Sequence, residues 1–185
     1  MTRIIVARHA QPEMANDLPQ ANWSLSRYGR NQADHLASRL QEFAPLNVLA
    51  GPSTRSRETA EFAAKQLGKS VKIDPRFGDV PAPKGTDFES WLWQIFSFEK
   101  PVRWSQVDAN LNKWRNDNLE ALRDLKEPSV VFTQFTNINA ILSAALRLDV
   151  TAVCHPGFAS ITEIAVVNGD IRLVVNGMEI VGPNE

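Results

Sequence analysis

The chain has only one cysteine in 185 residues, Cys154, so an internal disulfide framework is excluded and a reducing compartment is the natural setting. An excess of either charge is missing too: 20 Lys and Arg face 21 Asp and Glu, for a formal net charge of −1. That balance sets up no general field for nucleic acid or for an anionic membrane, so affinity for phosphate has to come from a local cluster. Long apolar runs are absent as well. The four apolar residues after Met1-Thr2-Arg3 are cut off at Arg8, too short for a signal peptide or a bilayer span. A soluble, cytoplasmic protein is expected, with no nucleic-acid or membrane partner. Histidine occurs three times, widely scattered, which gives no metal-ligand spacing. No Gly-x-Gly-x-x-Gly follows an apolar run, so a nucleotide cofactor is not expected, nor any other cofactor.

What the chain does have is a set of apolar runs that end abruptly in polar chemistry. Ile4-Ile5-Val6-Ala7 passes straight into Arg8-His9. Val48-Leu49-Ala50 leads into Gly51-Pro52-Ser53-Thr54-Arg55, and Val130-Val131-Phe132-Thr133 into Gln134-Phe135-Thr136-Asn137. In open parallel sheets ligands collect beyond the carboxyl ends of the strands. If the three runs are neighbouring parallel strands, Arg8, His9, Arg55 and Gln134 converge on one crevice.

Helical periodicity fills the intervals. Ser26 is placed to cap a helix that carries Ala33, Leu36, Ala37 and Leu40 on one face, and Pro45 ends it. A second helix runs from the Ser53-Thr54 cap to Leu67 and places Arg55 in its first turn. The helix dipole prefers an anion there, so a cation needs an explanation, and a surface pair with Glu58 or Glu61 is the plain one. A longer helix carries Leu111, Trp114, Ala121 and Leu122; another carries Ile138, Ile141, Leu142 and Ala145. Asn168-Gly169-Asp170 reads as the turn of a C-terminal hairpin. Strands alternating with helices and closed by a hairpin predict an α/β fold, a three-layer αβα sandwich on a mixed, mostly parallel sheet. Residues 1–185 read as one domain, with an aromatic-rich insert at about residues 81–104. Aromatics at that density either fill a local core or form a lid over a ligand.

The converging residues suggest phosphoryl chemistry. Two arginines can grip phosphoryl oxygens by charge-assisted hydrogen bonds. His9 can attack phosphorus through a ring nitrogen, giving a phosphohistidine that water then hydrolyses. A carboxylic acid must protonate the leaving oxygen, and Asp79 is best placed by chain position. The polar loop from Gln11 to Ser24, with Asn16-Asp17, and His155 in the loop before the hairpin are candidates for the rim.

With these motifs in hand, the chain resembles the histidine phosphatase superfamily, the phosphoglycerate mutase-like phosphatases. The family's strand and Arg-His-Gly motif correspond to Ile4 to Ala10. Its Leu-Thr…Gly…Gln-Ala helix start resembles Leu25-Ser26-Arg27-Tyr28-Gly29-Arg30-Asn31-Gln32-Ala33, and its Ser-Pro-x-x-Arg-x-x-x-Thr-Ala segment resembles Gly51 to Ala60. The likeness spans nearly the whole chain except the aromatic insert, where family members vary. It implies a phosphoglycerate mutase-like fold and a metal-independent phosphatase acting on a small phosphate monoester. It further implies His9 as nucleophile, Arg8 and Arg55 as phosphate ligands and Asp79 as acid. Three departures accompany it. Ala10 replaces a glycine, and Asp79 stands for a glutamate one methylene longer. Gln134 takes the place of a second histidine, usually within Val-Ser-His-Gly, and a glutamine donates a hydrogen bond but carries no charge. Two functions fit: a phosphatase slowed by Gln134, with His155 as a stand-in for the lost imidazole, or a weak or inactive homologue that binds a phosphorylated ligand or protein partner. Substrate identity and oligomeric state are not legible in the sequence.

Overall fold

The apolar run at the head of the chain forms β1 (Thr2–Arg8), and it lies inside a six-stranded sheet rather than at an edge. A computed structural model describes residues 1–15 and 17–175. The other strands are β2 (Asn47–Ala50), β3 (Val71–Ile73), β4 (Ser129–Thr133), β5 (Ile161–Val167) and β6 (Asp170–Val175), in the spatial order β3-β2-β4-β1-β5-β6. Strands β1 to β4 run parallel, and the β5-β6 hairpin joins antiparallel to β1. Asn168 and Gly169, at φ of 52° and 86°, supply the left-handed pair that a tight hairpin turn demands. The expected mixed, mostly parallel sheet is what forms.

Helices cover both faces, which is why β4 is buried at all five positions. On one face Ile5, Ala7, Val48 and Phe132 pack against Leu36, Ala37 and Leu40 of α1 (Arg27–Leu40) and Ala60, Ala63 and Ala64 of α2 (Thr54–Leu67). Alternate strand residues Ile4, Val6, Leu49 and Val131 meet the opposite layer. That layer comprises Leu119 and Leu122 of α4 (Ala109–Asp124), and Ile138, Ile141 and Leu142 of α5 (Phe135–Ala145). The aromatic insert carries α3 (Phe88–Ile95), capped by Asp87, whose side chain accepts from the Ser90 amide at 2.8 Å. Its rings do not share one environment. Phe96 and Trp104 are buried in a local core with Leu111, Trp114 and Phe135, whereas Trp93 keeps 47 % of its surface exposed.

The sheet register aligns the strand ends. Arg8 pairs with Thr133 and Ala50 with Phe132, so the loops after β1, β2 and β4 leave from one edge. Gly51 brings a fourth segment in: a β-carbon there would lie 2.2 Å from the Phe77 carbonyl oxygen, so only glycine lets the turn after β2 touch the chain that leads to Asp79.

Candidate active site

Arg8 and His9 are placed by the last turns of the β1 ladder. The His9 amide donates to the Thr133 carbonyl at 2.9 Å and its own carbonyl accepts from Ala159 at 3.2 Å, fixing the residue between β4 and the loop before β5. The imidazole is buried, with 5 % exposed. Its Nδ1 lies 2.8 Å from the Ala10 carbonyl oxygen. A carbonyl only accepts, so Nδ1 carries the proton and Nε2 keeps its lone pair. Burial first, then the charges of Arg55 and Arg8, hold the His9 pKa well below the ordinary imidazole value. The ring is therefore neutral and nucleophilic at neutral pH.

Arg55 enters from the first turn of α2 and is buried, which sets aside the plain reading of a surface ion pair; Glu58 instead accepts from the Leu25 amide at 2.7 Å. The Arg55 Nε donates to His9 Nε2 at 3.2 Å. One terminal nitrogen donates to the Gln20 carbonyl, and the other to Asp79 Oδ1 at 2.9 Å and to Gln134 Oε1. The cation at this helix start is thus balanced by a carboxylate and three neutral acceptors.

The remaining groups are locked in from outside. Arg8 donates to the Pro156 carbonyl at 2.7 Å, and its guanidinium lies 4.0 Å over the Phe158 ring, which stands 5.6 Å from the His9 ring. Asp79 follows a tethered segment: Thr133 Oγ1 donates to the Phe77 carbonyl at 3.0 Å, and the Gly78 carbonyl accepts from Asn137 Nδ2 at 3.0 Å and Trp114 Nε1 at 3.1 Å. Burial raises the Asp79 pKa, with the Arg55 charge pulling the other way. Gln134 occupies the N-cap position of α5, and its side-chain amide nitrogen turns to donate to Ser53 Oγ at 3.4 Å. Arg8, His9, Arg55, Asp79 and Gln134 all line one cavity of about 480 Å³.

Two rim candidates fare differently. Asn16 lies outside the described residues. His155 is not among the residues lining the cavity; its ring stacks on Phe98 at 4.6 Å and meets Phe135 and Trp93 at 5.4 and 6.0 Å. Phe135 and Trp93 line the cavity, so the exposed His155 ring packs directly behind its wall. Several contributors had no signature in the sequence. Phe158 and the Pro156 and Gln20 carbonyls reach the site through tertiary packing alone. Thr59 has a clearer trace, since it lies four residues after Arg55, one helical turn on: its hydroxyl donates to the Arg55 carbonyl at 2.7 Å and accepts from the Ala10 amide at 3.0 Å, tying the two arginine-bearing segments together.

The arrangement can hold a tetrahedral anion against a neutral imidazole, with a carboxyl group nearby, and known proteins share its frame. The mycobacterial glucosyl-3-phosphoglycerate phosphatase in complex with inorganic phosphate superposes with a TM-score of 0.73 at 20% identity, covering 96% of this chain and 98% of that one. A phosphoserine phosphatase variant from Entamoeba histolytica in complex with phosphoserine gives 0.73 at 19% identity, over 95% and 96% of the two chains. YhfR from Bacillus stearothermophilus gives 0.73 at 19%, over 95% and 96%. At such identities the likeness is one of fold, which is phosphoglycerate mutase-like. No curated protein matches the chain by sequence. The sequence profile of the histidine phosphatase superfamily, branch 1, matches residues 4–177. The chain belongs to that superfamily.

Proposed function

We propose that the protein is a metal-independent phosphatase that hydrolyses a small phosphate monoester through a phosphohistidine on His9. The observation that carries this reading is the pairing at His9: Nδ1 committed to the Ala10 carbonyl at 2.8 Å and Nε2 facing Arg55 at 3.2 Å. Nε2 attacks phosphorus, Arg8 and Arg55 take the charge on the equatorial oxygens, and protonated Asp79 gives its proton to the departing oxygen. Water then attacks the phosphohistidine, with the Asp79 carboxylate accepting its proton, and His9 leaves with its lone pair restored. Family membership and phosphatases among the structural neighbours support the reaction class. The neutral His9 and the raised Asp79 pKa support the two roles. A chain with a single cysteine has no second one for an internal disulfide, which accords with a cytoplasmic setting.

Gln134 stands, in this reading, where the family has its second histidine. Its amide carries no charge, and its oxygen accepts from Arg55. Loss of one charged donor from a preorganised site costs about 10²–10³ in rate. That same contact favours a second reading, a homologue that binds phosphate without turnover, because ground-state binding by Arg8 and Arg55 survives the loss. One sample decides between them. The first reading expects hydrolysis of an aryl phosphate without added metal, abolished by His9→Ala. The second expects background turnover while phosphate or vanadate still raises the melting temperature, a shift removed by Arg55→Lys.

A further inference from the structure

The phosphoryl-binding side chains occupy one end of the cavity, and the rest of its wall is of another kind. Leu92 and Trp93 of α3 line it, as do Met14 and Trp23 from the loop after β1 and Phe135 from the start of α5. Trp93 and Met14 remain 47 % and 73 % exposed at the mouth, leaving large apolar groups in water beside a hollow far roomier than a phosphoryl group fills. Charge is distributed just as unevenly. Among the described residues, the only cations on the wall are Arg8 and Arg55, both at the phosphoryl end, where Arg55 already pairs with Asp79 at 2.9 Å. Apart from these two and Asp79, the only charge on the wall among the described residues is the exposed Glu89, one turn before Trp93 on α3.

A carboxylate on the leaving group would find no cation there and would face Glu89. A hydrocarbon or aromatic ring would instead cover Trp93, Leu92 and Met14. We propose that this site selects phosphate monoesters of bulky, apolar, uncharged alcohols and discriminates against those that carry a carboxylate. The selection rests on the phosphatase reading of the same site, with α3 acting as the specificity element: Trp93 attracts the ring and Glu89 repels the acid.

Binding and turnover, measured on the full chain, separate the two ideas. Calorimetry with phenylethylphosphonate, ethylphosphonate and 3-phosphonopropionate, whose carboxylate is accompanied by no amine, reads selectivity without chemistry. The ring-bearing compound binds at least ~10-fold tighter than ethylphosphonate, from the apolar area it buries. The carboxylate-bearing compound binds weakest, and Glu89→Gln narrows its deficit. Trp93→Ala cuts the ring's advantage several-fold. Near-equal affinities, absence of binding by all three, or a ring advantage untouched by Trp93→Ala overturns the selectivity. In parallel, hydrolysis of phenylethyl phosphate and ethyl phosphate, whose leaving alcohols are of similar acidity, tests the chemistry. The expected binding order with no turnover of either ester overturns the phosphatase reading alone; turnover with a flat binding order overturns the selectivity alone.

Discussion

Arg55 Nε donates to His9 Nε2 across 3.2 Å, although 46 residues separate the two in the chain. The contact exists because β1 and β2 both flank β4 and end level with it, so a strand-end histidine and a first-turn arginine are delivered to the same edge. It has two chemical consequences. The imidazole is kept deprotonated at its outward nitrogen, and the strongest local positive charge stands beside the atom that would attack phosphorus.

Gln134→His tests what the glutamine costs. An imidazole at the start of α5 restores a charged donor beside Arg55, and kcat rises by about 10²-fold toward the value expected of a fully charged pocket. Steady-state kinetics on an aryl phosphate reads it. An unchanged or lower kcat means that the amide is not a deficit in this pocket.

Asp79→Asn tests the acid through the leaving group. Esters of alkyl alcohols need a proton as they depart and lose about 10²–10⁴ in kcat. An aryl ester with an acidic phenol loses far less, because its leaving oxygen is stable as an anion. In the wild type, the alkyl-ester profile falls on its alkaline side at a pKa above the ordinary carboxylate range, the direction in which burial moves Asp79. In the variant that limb disappears. Equal losses on both ester classes would remove Asp79 from the role.

The buried neutral His9 leaves a mark on stability. Its folded pKa lies well below 6.5. Between that depressed value and 6.5 the unfolded chain binds a proton that the folded chain refuses, so the free energy of unfolding falls as pH drops through this window and is level above it. His9→Gln flattens the slope. Asp79 contributes with the opposite sign, since a raised carboxyl pKa favours the folded state as pH falls. It is common to both proteins and drops out of the comparison. Urea midpoints of wild type and variant across the mildly acidic range read the difference, and parallel curves would contradict a buried, neutral imidazole.

Gly29→Ala probes the frame rather than the chemistry. Alanine is the better helix former by up to ~1 kcal/mol, which alone would stabilise α1. A β-carbon at residue 29, however, would lie 2.0 Å from the Gln11 carbonyl oxygen, in backbone that also accepts from the Ser26 amide at 3.0 Å. The clash is with main chain and cannot be relieved by a rotamer. A net loss of about 1–3 kcal/mol in unfolding free energy is expected. A gain would mean that the loop after β1 yields easily.

Much of this was legible in the sequence, for local reasons. The Ser26 cap, with its Oγ accepting from the Gly29 amide at 2.9 Å, the β4 run and the Asn168-Gly169 turn each follow from a few adjacent residues. The gathering of Arg8, His9, Arg55 and Gln134 followed from where apolar runs stop, combined with the rule for parallel sheets. The rest depended on contacts between distant segments. Nothing near Phe158 marks it as the ring under Arg8, and a carbonyl such as that of Pro156 or Gln20 has no side-chain signature at all. His155 was a rim candidate from its place in the loop before the hairpin, and only the fold shows that Phe98, Phe135 and Trp93 are the rings it packs against. The two fates of the insert's rings were equally hidden: Trp104 is buried, with Nε1 donating to Ser143 Oγ at 2.9 Å, while Trp93 lines the cavity.

The covalent step can be caught directly. Mixing the wild-type protein with an aryl phosphate, quenching within the turnover time and mapping peptides under alkaline conditions, where phosphohistidine survives, locates the transferred group. The expected result is the mass of one phosphoryl group on the peptide that holds His9, lost on acid treatment and absent from His9→Ala. Steady hydrolysis with the group on another residue, or with no covalent species under any quench, would contradict His9 as the nucleophile.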